Sequence, residues 1–491
     1  MGNYFCDSSD WEIDMKKMPL LLVVILLISI ASASEAATFT VTTSSDSDCA
    51  DYDCDLQSAL NASAGNEEGD TISMASGTYD ASGTSFYWAP VSKNFPVLIS
   101  GASDGSTIID GGNEANSNFT MWISTTNLAD DSNAHMRLNN IVFQNGNSFP
   151  FDGGGVFLYS TQANITVENC VFNGNAANQG GGLYLISSSG DIAVTNNTFT
   201  GNTAIGFGGG AHAESSSGDV TVTNNTFTEN SANEGGGAYF ESSSGIITVT
   251  NNTFTGNSAN EGGGGMYNES SSSPMVTNCT FSGNSAFDGG GMYNDTYSSP
   301  TVTNCTFSGN SAVHGGGMYN YSFDPTSSPT VTNCTFSGNS ATSYGGGMYN
   351  SYSSPTVTNC ILWGDTPQEI ENDHSSPVVA YSDIQGGYLG TGNINADPRF
   401  LDPDGPDNIS GNQDDDFHLT PKSPCIDAGD NSTPALPTTD IDGDNRKIDD
   451  PKVANTGNGT PPIVDMGADE YVPKEEDFPW EMFLPAIIRK K

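Results

Sequence analysis

Apolar residues recur along this chain with a long period. Phe143, Phe172, Phe199, Phe227, Phe254, Phe281, Phe307 and Phe336 fall 26–29 residues apart, and Leu362 takes the next place. A valine column keeps step with them: Val167, Val194, Val222, Val249, Val276, Val302, Val331 and Val357. Gly triplets starting at 153, 180, 208, 235, 262, 289, 315 and 345 complete the unit, which reads S-P-T-V-T-N-C-T-F-S-G-N-S-A-x-x-G-G-G-M-Y-N in its clearest copies. Self-similarity at this period is the mark of a stacked repeat architecture.

Within the unit, Thr-Val-Thr and Cys-Thr-Phe alternate polar and apolar residues, as half-buried strands do. Valine and phenylalanine stand five residues apart, and one straight strand puts two residues on the same face only at an even spacing. The chain must therefore break phase between them. An Asn fills the break in every copy (169, 196, 224, 251, 278, 304, 333, 359), and Asn tolerates the left-handed backbone conformation that a corner needs. Ser-Gly-Asn after the Phe and the Gly triplet supply two further corners. Three short strands and three corners per unit predict an all-β, right-handed parallel β-helix. Its nine regular coils of about 27 residues cover 138–363, stacked at roughly 4.8 Å.

The flanks predict caps. Leu56, Ala59, Leu60 and Ser63 lie at helical spacing after Asp53 or Asp55, either of which suits an N-cap. Residues 37–137 then read as this helical cap and irregular first coils. Residues 364–473 are rich in Asp, Pro and Gly, with strand-like pieces at Pro377–Tyr381 and Ile463–Met466. They read either as further irregular coils or as a small C-terminal module. Residues 474–491 form a tail: a sorting or anchoring tag, or a frayed last strand.

Composition adds compartment and charge. Residues 15–36 hold two lysines, an apolar run Leu20–Ile30 and a small-residue end at Ala33 or Ala36. The run is too short to span a bilayer and reads as a signal peptide behind an over-long start, so 1–36 stand outside the fold and the product is expected to be secreted, extracellular or at the cell surface. No later segment is apolar enough to span a membrane. With 58 acidic and 13 basic residues the net charge is −45, which argues against nucleic-acid binding.

The copies FSGNSAFDGGGMYN and its relatives resemble the repeats of polymorphic outer-membrane proteins, which pair F-x-x-N with a Gly-Gly-apolar motif. CDLQSAL, GDTISMASGTYD and STIIDGG resemble the N-terminal end of bacterial pectate-lyase-like β-helix proteins. HLTPKSPCIDAGD (418–430), DIDGDNRKID (440–449) and VDMGADEY (464–471) are similar to the C-terminal module of secreted bacterial β-helix proteins bearing assorted anchors. The resemblance implies the fold and secretion, not one reaction. Too few residues follow Leu362 for the translocating barrel of the polymorphic proteins.

Candidate chemistry is sparse. No Lys or Arg lies between Arg137 and Arg399, so the rod lacks both the arginine base that a pectate-lyase resemblance implies and the charge to hold an acidic polymer. A glycosidase of this fold would need clustered Asp with His and basic partners; Asp414–Asp416 lie outside the repeat, and His314 has no basic partner.

Two acidic ladders remain, Glu234/Glu261/Asp288 before the Gly triplet and Glu214/Glu241/Glu269/Asp295 after the aromatic. Like charges one coil apart stay solvated, recruit a cation such as calcium, or raise one another's pKa toward catalysis. Beside them run Tyr184, Tyr239, Tyr267, Tyr293, Tyr319 and Tyr349, with His212 in one rung. Their neighbours (Leu183, Ala211, Ala238, Met266, Met292, Met318, Met348) are the inward set, so the Tyr rings are expected to face outward. There they would either stack on a glycan or partner, or support the sheet through one another.

Cys170, Cys279, Cys305, Cys334 and Cys360 share a column with Ile141, which makes it a core column of reduced thiols. Cys425 has no evident partner, and Cys49 with Cys54 is the disulfide candidate. Asp440, Asp442, Asp444 and Asp449 alternate as calcium loops do, or close a turn of the C-terminal module. The reading favours a non-enzymatic, adhesin-like protein binding a glycan or surface partner. The alternative is a carbohydrate-active enzyme for a neutral polysaccharide.

Overall fold

The computed structural model describes residues 36–43, 53–65, 68–90, 95–112, 119–125, 131–269, 272–322 and 328–473. Residues up to 35, where a signal peptide is expected, Cys49 and the tail from 474 lie outside the described residues. Asp53–Cys54 forms a short strand, but the side chain of Cys54 also lies outside them, so the disulfide expectation falls there.

Three parallel sheets wind around one core, with 14, 12 and 11 strands among the described residues. The first sheet carries the valines, the second the phenylalanines, and the third the Met-Tyr-Asn strands. Each coil crosses all three in turn. Strands pair with their counterparts one repeat on, Phe199 beside Phe227 and Val194 beside Val222. Both columns are fully buried from Val167 and Phe143 onward. Phe199 and Phe227 stack with centroids 4.7 Å apart and planes within 3°, and each such buried ring contributes about 1.5–3 kcal/mol.

The phase break is a left-handed corner. Asn140, Asn169, Asn196, Asn224, Asn251, Asn278, Asn304, Asn333 and Asn359 all have φ between +51° and +57°. The second corner has positive φ at Gly174, Gly201, Gly256, Gly283, Gly309 and Gly338, with Glu229 in one coil. A buried Asn follows each. Asn257 Nδ2 donates to the Phe227 carbonyl at 2.9 Å and to Asn284 Oδ1 at 2.9 Å, while its Oδ1 accepts from the Asn230 N–H. This ladder runs from Asn175 to Asn339 and ends on Asp365. It satisfies backbone groups that a corner removes from the strand pattern.

The cysteine column is buried and unbridged, as expected of a core column, and so is Cys425. The helix Leu56–Ala64 is capped by Asp55, whose Oδ1 accepts from the Ser58 N–H at 2.8 Å, and it buries Leu56, Ala59, Leu60 and Ser63.

One expectation needs correction. The triplet of the fifth coil starts at Gly263 (φ +66°), not Gly262. Gly262 is an extra residue, and it takes the rung between Glu234 and Asp288. Glu261 is thereby pushed out of that ladder and exposed. Residues 364–473 take both forms left open for them: the parallel stack first continues past Trp363 as irregular coils, through Ile370–Asp373, Val378–Ala380 and Asp383–Ile384. Only then does the chain leave the rod. Phe400–Asp402 pairs antiparallel with Asp416–Leu419. A second apolar cluster of Ile361, Leu419, Cys425, Ile426, Ala428, Met466 and Tyr471 closes a module that folds back along the rod.

Candidate functional site

The third sheet presents the aromatic ladder on its outer side, in register: Tyr184, His212, Tyr239, Tyr267, Tyr293, Tyr319, Tyr349. The rings are covered rather than open. Tyr239 is 1% exposed, Tyr267 6% and Tyr319 8%, and Tyr293 is only partly exposed. Successive rings shield one another, and residues of the preceding corner fold over them: Phe207 packs on Tyr239 at 4.9 Å. Of the two readings of these rings, their burial fits mutual support within the sheet better than stacking on a ligand. Alternation did place the side chains outside the sheet, but it carries no information about what lies over them. His212 is sealed in the same column, and burial pushes its pKa down to about 3.

The acids flank this ladder. Glu214 pairs with Glu241, and the same column continues to Glu269 and Asp295. Tyr267 donates its hydroxyl to Asp295 at 3.2 Å. Burial, then the charges of Glu261, Glu269 and Asp295, push Glu234 up to about 7. Glu241 and Glu269 are raised by burial and by neighbouring carboxylates. Asp288 meets His314 Nδ1 at 2.7 Å.

A second concave region lies between the second sheet and the C-terminal module. Its floor is the outward hydroxyl column Thr253, Thr280, Thr306, Ser308 and Thr335, a direct result of Phe-inward, Thr-outward alternation. Its wall is Asn412–His418 with Asp442 and Asp469, and its volume is about 610 Å³. Asp414–Asp416 lie off the repeat in sequence, but the module brings them over the rod.

The corner asparagines hold the module there. Asn304 Nδ2 donates to the Thr439 carbonyl at 2.8 Å, and the buried Arg446 donates to Asn304 Oδ1 at 2.9 Å. Ala468 N–H donates to Thr335 Oγ1 at 3.0 Å. Glycine at a corner permits the closest approach: a Cβ on Gly309 would lie 2.4 Å from Gly411 Cα.

At the cleft wall, His418 Nε2 is 3.1 Å from Asp442 Oδ2 and 3.8 Å from Asp469 Oδ1. Its Nδ1 meets Asp416 Oδ1 at 2.6 Å. These carboxylates push His418 up to about 10, with Asp442 contributing most, and His418 lowers Asp442 in turn. Burial pushes Asp469 up to about 7.

The four alternating aspartates do not converge. Asp440 is buried and caps backbone: its Oδ1 accepts from the N–H groups of Asp442 and Asp444, and its Oδ2 from Glu470 N–H. Asp449 accepts from Asn455. Asp442 alone turns to the cleft. His418 and Asp469 were not singled out by sequence, because each sits in a different segment and no spacing links them.

With this geometry in view, comparison with known proteins is informative about the fold. The family described as right-handed β-helix region matches residues 209–379. The fold is the right-handed parallel β-helix. The family described as periplasmic copper-binding protein NosD matches residues 89–286 of this β-helix, short of the cleft wall. A mannuronic-acid-specific polysaccharide family 6 lyase from human gut microbiota is similar at 11% identity over 74% of this chain and 85% of its own, with a TM-score of 0.32. No curated protein matches. Among the described residues no helix is long and apolar enough to cross a membrane.

Proposed function

We propose that this β-helix works outside the cytoplasm, secreted or at the cell surface, as a non-enzymatic rod that binds a neutral glycan in the cleft beneath its C-terminal module. One observation carries the reading: the cleft is lined by hydroxyls, amides and carboxylates beside Phe417, with no Lys or Arg. Hydroxyls and carboxylates match sugar hydroxyls, and an aromatic suits a sugar face. The lining has no Lys or Arg, and its carboxylates outnumber the one basic group, His418, which disfavours uronate polymers. The periplasmic character of the NosD family supports the compartment. Glu241, Glu269 and Asp295, buttressed by Tyr239, Tyr267, Tyr293 and Tyr319, form a second contact face along the rod.

The test is retention on a panel of neutral polysaccharides, with product analysis. Phe417→Ala and Asp415→Asn should abolish retention without any new reducing ends in the wild type. Retention that survives both substitutions overturns the cleft assignment.

A second reading, catalysis on the neutral glycan, is favoured by Glu234 alone. A carboxyl held near 7 beside neighbouring acids is the arrangement of a general acid. New reducing ends that vanish in Glu234→Gln would establish it and end the non-enzymatic reading.

A further inference from the structure

We propose that His418, Asp442 and Asp469 bind a divalent first-row transition cation, with Asp416 as the positioning residue for the imidazole. The inference does not rest on the glycan reading.

Each motif of the C-terminal module supplies one group: HLTPKSPCIDAGD gives His418, DIDGDNRKID gives Asp442, and VDMGADEY gives Asp469. The fold of the module brings them together. One ligand atom from each lies within 4.8 Å of the others. Atoms bonded at roughly 2.1 Å to one tetrahedral ion stand about 3.4 Å apart, so small rotations of these side chains close the site.

Two further observations point to a cation. Asp416 Oδ1 accepts from the His418 backbone N–H at 3.0 Å and meets ring Nδ1 at 2.6 Å. That is the outer carboxylate–histidine arrangement that fixes the proton on Nδ1 and turns the Nε2 lone pair toward the ligand position. Without metal the protonated ring bridges Asp442 and Asp469 through Nε2, and a cation bound there takes the place of that proton. Second, Asp469 is 8% exposed, and its Oδ2 is shut from solvent with no hydrogen-bond donor. A desolvated carboxylate oxygen without a partner is costly, and a bound cation offsets that cost.

The ligand set selects the ion. One imidazole nitrogen and two carboxylate oxygens suit zinc and its neighbours, whereas calcium takes six to eight oxygens. The remaining coordination positions open onto the cleft, where water or a ligand hydroxyl can enter.

The experiment uses the full chain, stripped with chelator, then titrated with Co²⁺ by visible absorption and with Zn²⁺ by calorimetry in excess Ca²⁺. The expected result is one tight equivalent, with cobalt d–d bands that Zn²⁺ displaces. His418→Gln and Asp469→Asn should weaken it at least about 100-fold, and Asp416→Asn about 10–100-fold. Asp449→Asn, a half-buried acid of the same module that accepts from Asn455, should leave it unchanged. Circular dichroism checks that each variant keeps its sheet content. A featureless cobalt titration overturns the proposal and leaves His418 as an ion-pair hub. So does a tight equivalent that survives His418→Gln, or a cobalt–thiolate charge-transfer band, which would place the metal in the cysteine column. Glycan retention plays no part in these readouts.

Discussion

Asn359 and Asp430 hold each other across the seam between rod and module. The Asp430 N–H donates to Asn359 Oδ1 at 2.7 Å, and Asn359 Nδ2 donates to the Asp430 carbonyl at 3.2 Å. Asn359 is also a left-handed corner, at φ +57°. One residue thus serves the coil and the docking of the module. Asn359→Ala should destabilise by about 2–4 kcal/mol, from the strained conformation and the lost hydrogen bonds. Asn196→Ala, a corner away from the module, should lose about 1–2 kcal/mol. Urea unfolding compares them, and equal losses would remove the seam contribution.

The buried Asn ladder makes a sharper demand. Asn257→Ala leaves the Asn230 N–H and the Phe227 carbonyl without their partner. The expected loss is about 2–4 kcal/mol, because unpaired buried backbone groups retain their desolvation cost. A loss below about 1 kcal/mol would mean that water replaces the amide, in which case the ladder is not a stability element.

Glycine 262 and Tyr293 are coupled. A Cβ on Gly262 would lie 2.6 Å from Tyr293 Cδ1. Gly262→Ala should therefore destabilise by about 1–3 kcal/mol, and adding Tyr293→Ala should recover part of that loss. Additive losses in the double-mutant cycle would show that the ring moves aside freely.

Stability should favour mild acid. Burial raises Glu234 to about 7 and Asp383 and Asp427 to about 6, from ordinary values of 4.5 and 3.8. The folded state then holds protons that the unfolded chain has already lost. The contribution is complete below the ordinary carboxylate range and disappears as pH rises through about 6–7. The unfolding temperature, measured without added metal, should fall between pH 5 and pH 7.5, and Glu234→Gln should flatten that slope. A profile identical to wild type would place Glu234 in solvent.

Much of the rod was legible because a repeat writes the same physics many times. The odd Val-to-Phe spacing demanded a corner, and Asn is the residue that makes it. The same counting misplaced the Gly262 rung, since four glycines in a row conceal which one is inserted; only the pairing of Glu234 with Gly262 settles it. The pattern placed the tyrosines on the outer side of the sheet and left undecided whether the rings stand bare or support one another. A periodic pattern reports direction and not cover, and here the cover comes from neighbouring rings and from Phe207.

The sequence by itself determined the coil: its period, its three corners, its inward valines, phenylalanines and thiols, and a rod surface without positive charge over most of its length. These follow from local alternation and backbone preference, which act within a few residues. The tertiary structure alone decided the cleft. His418, Asp442 and Asp469 meet only because the corner asparagines dock the module against the second sheet, and contacts between residues more than a hundred positions apart, such as Arg446 with Asn304, leave no period in the chain to read.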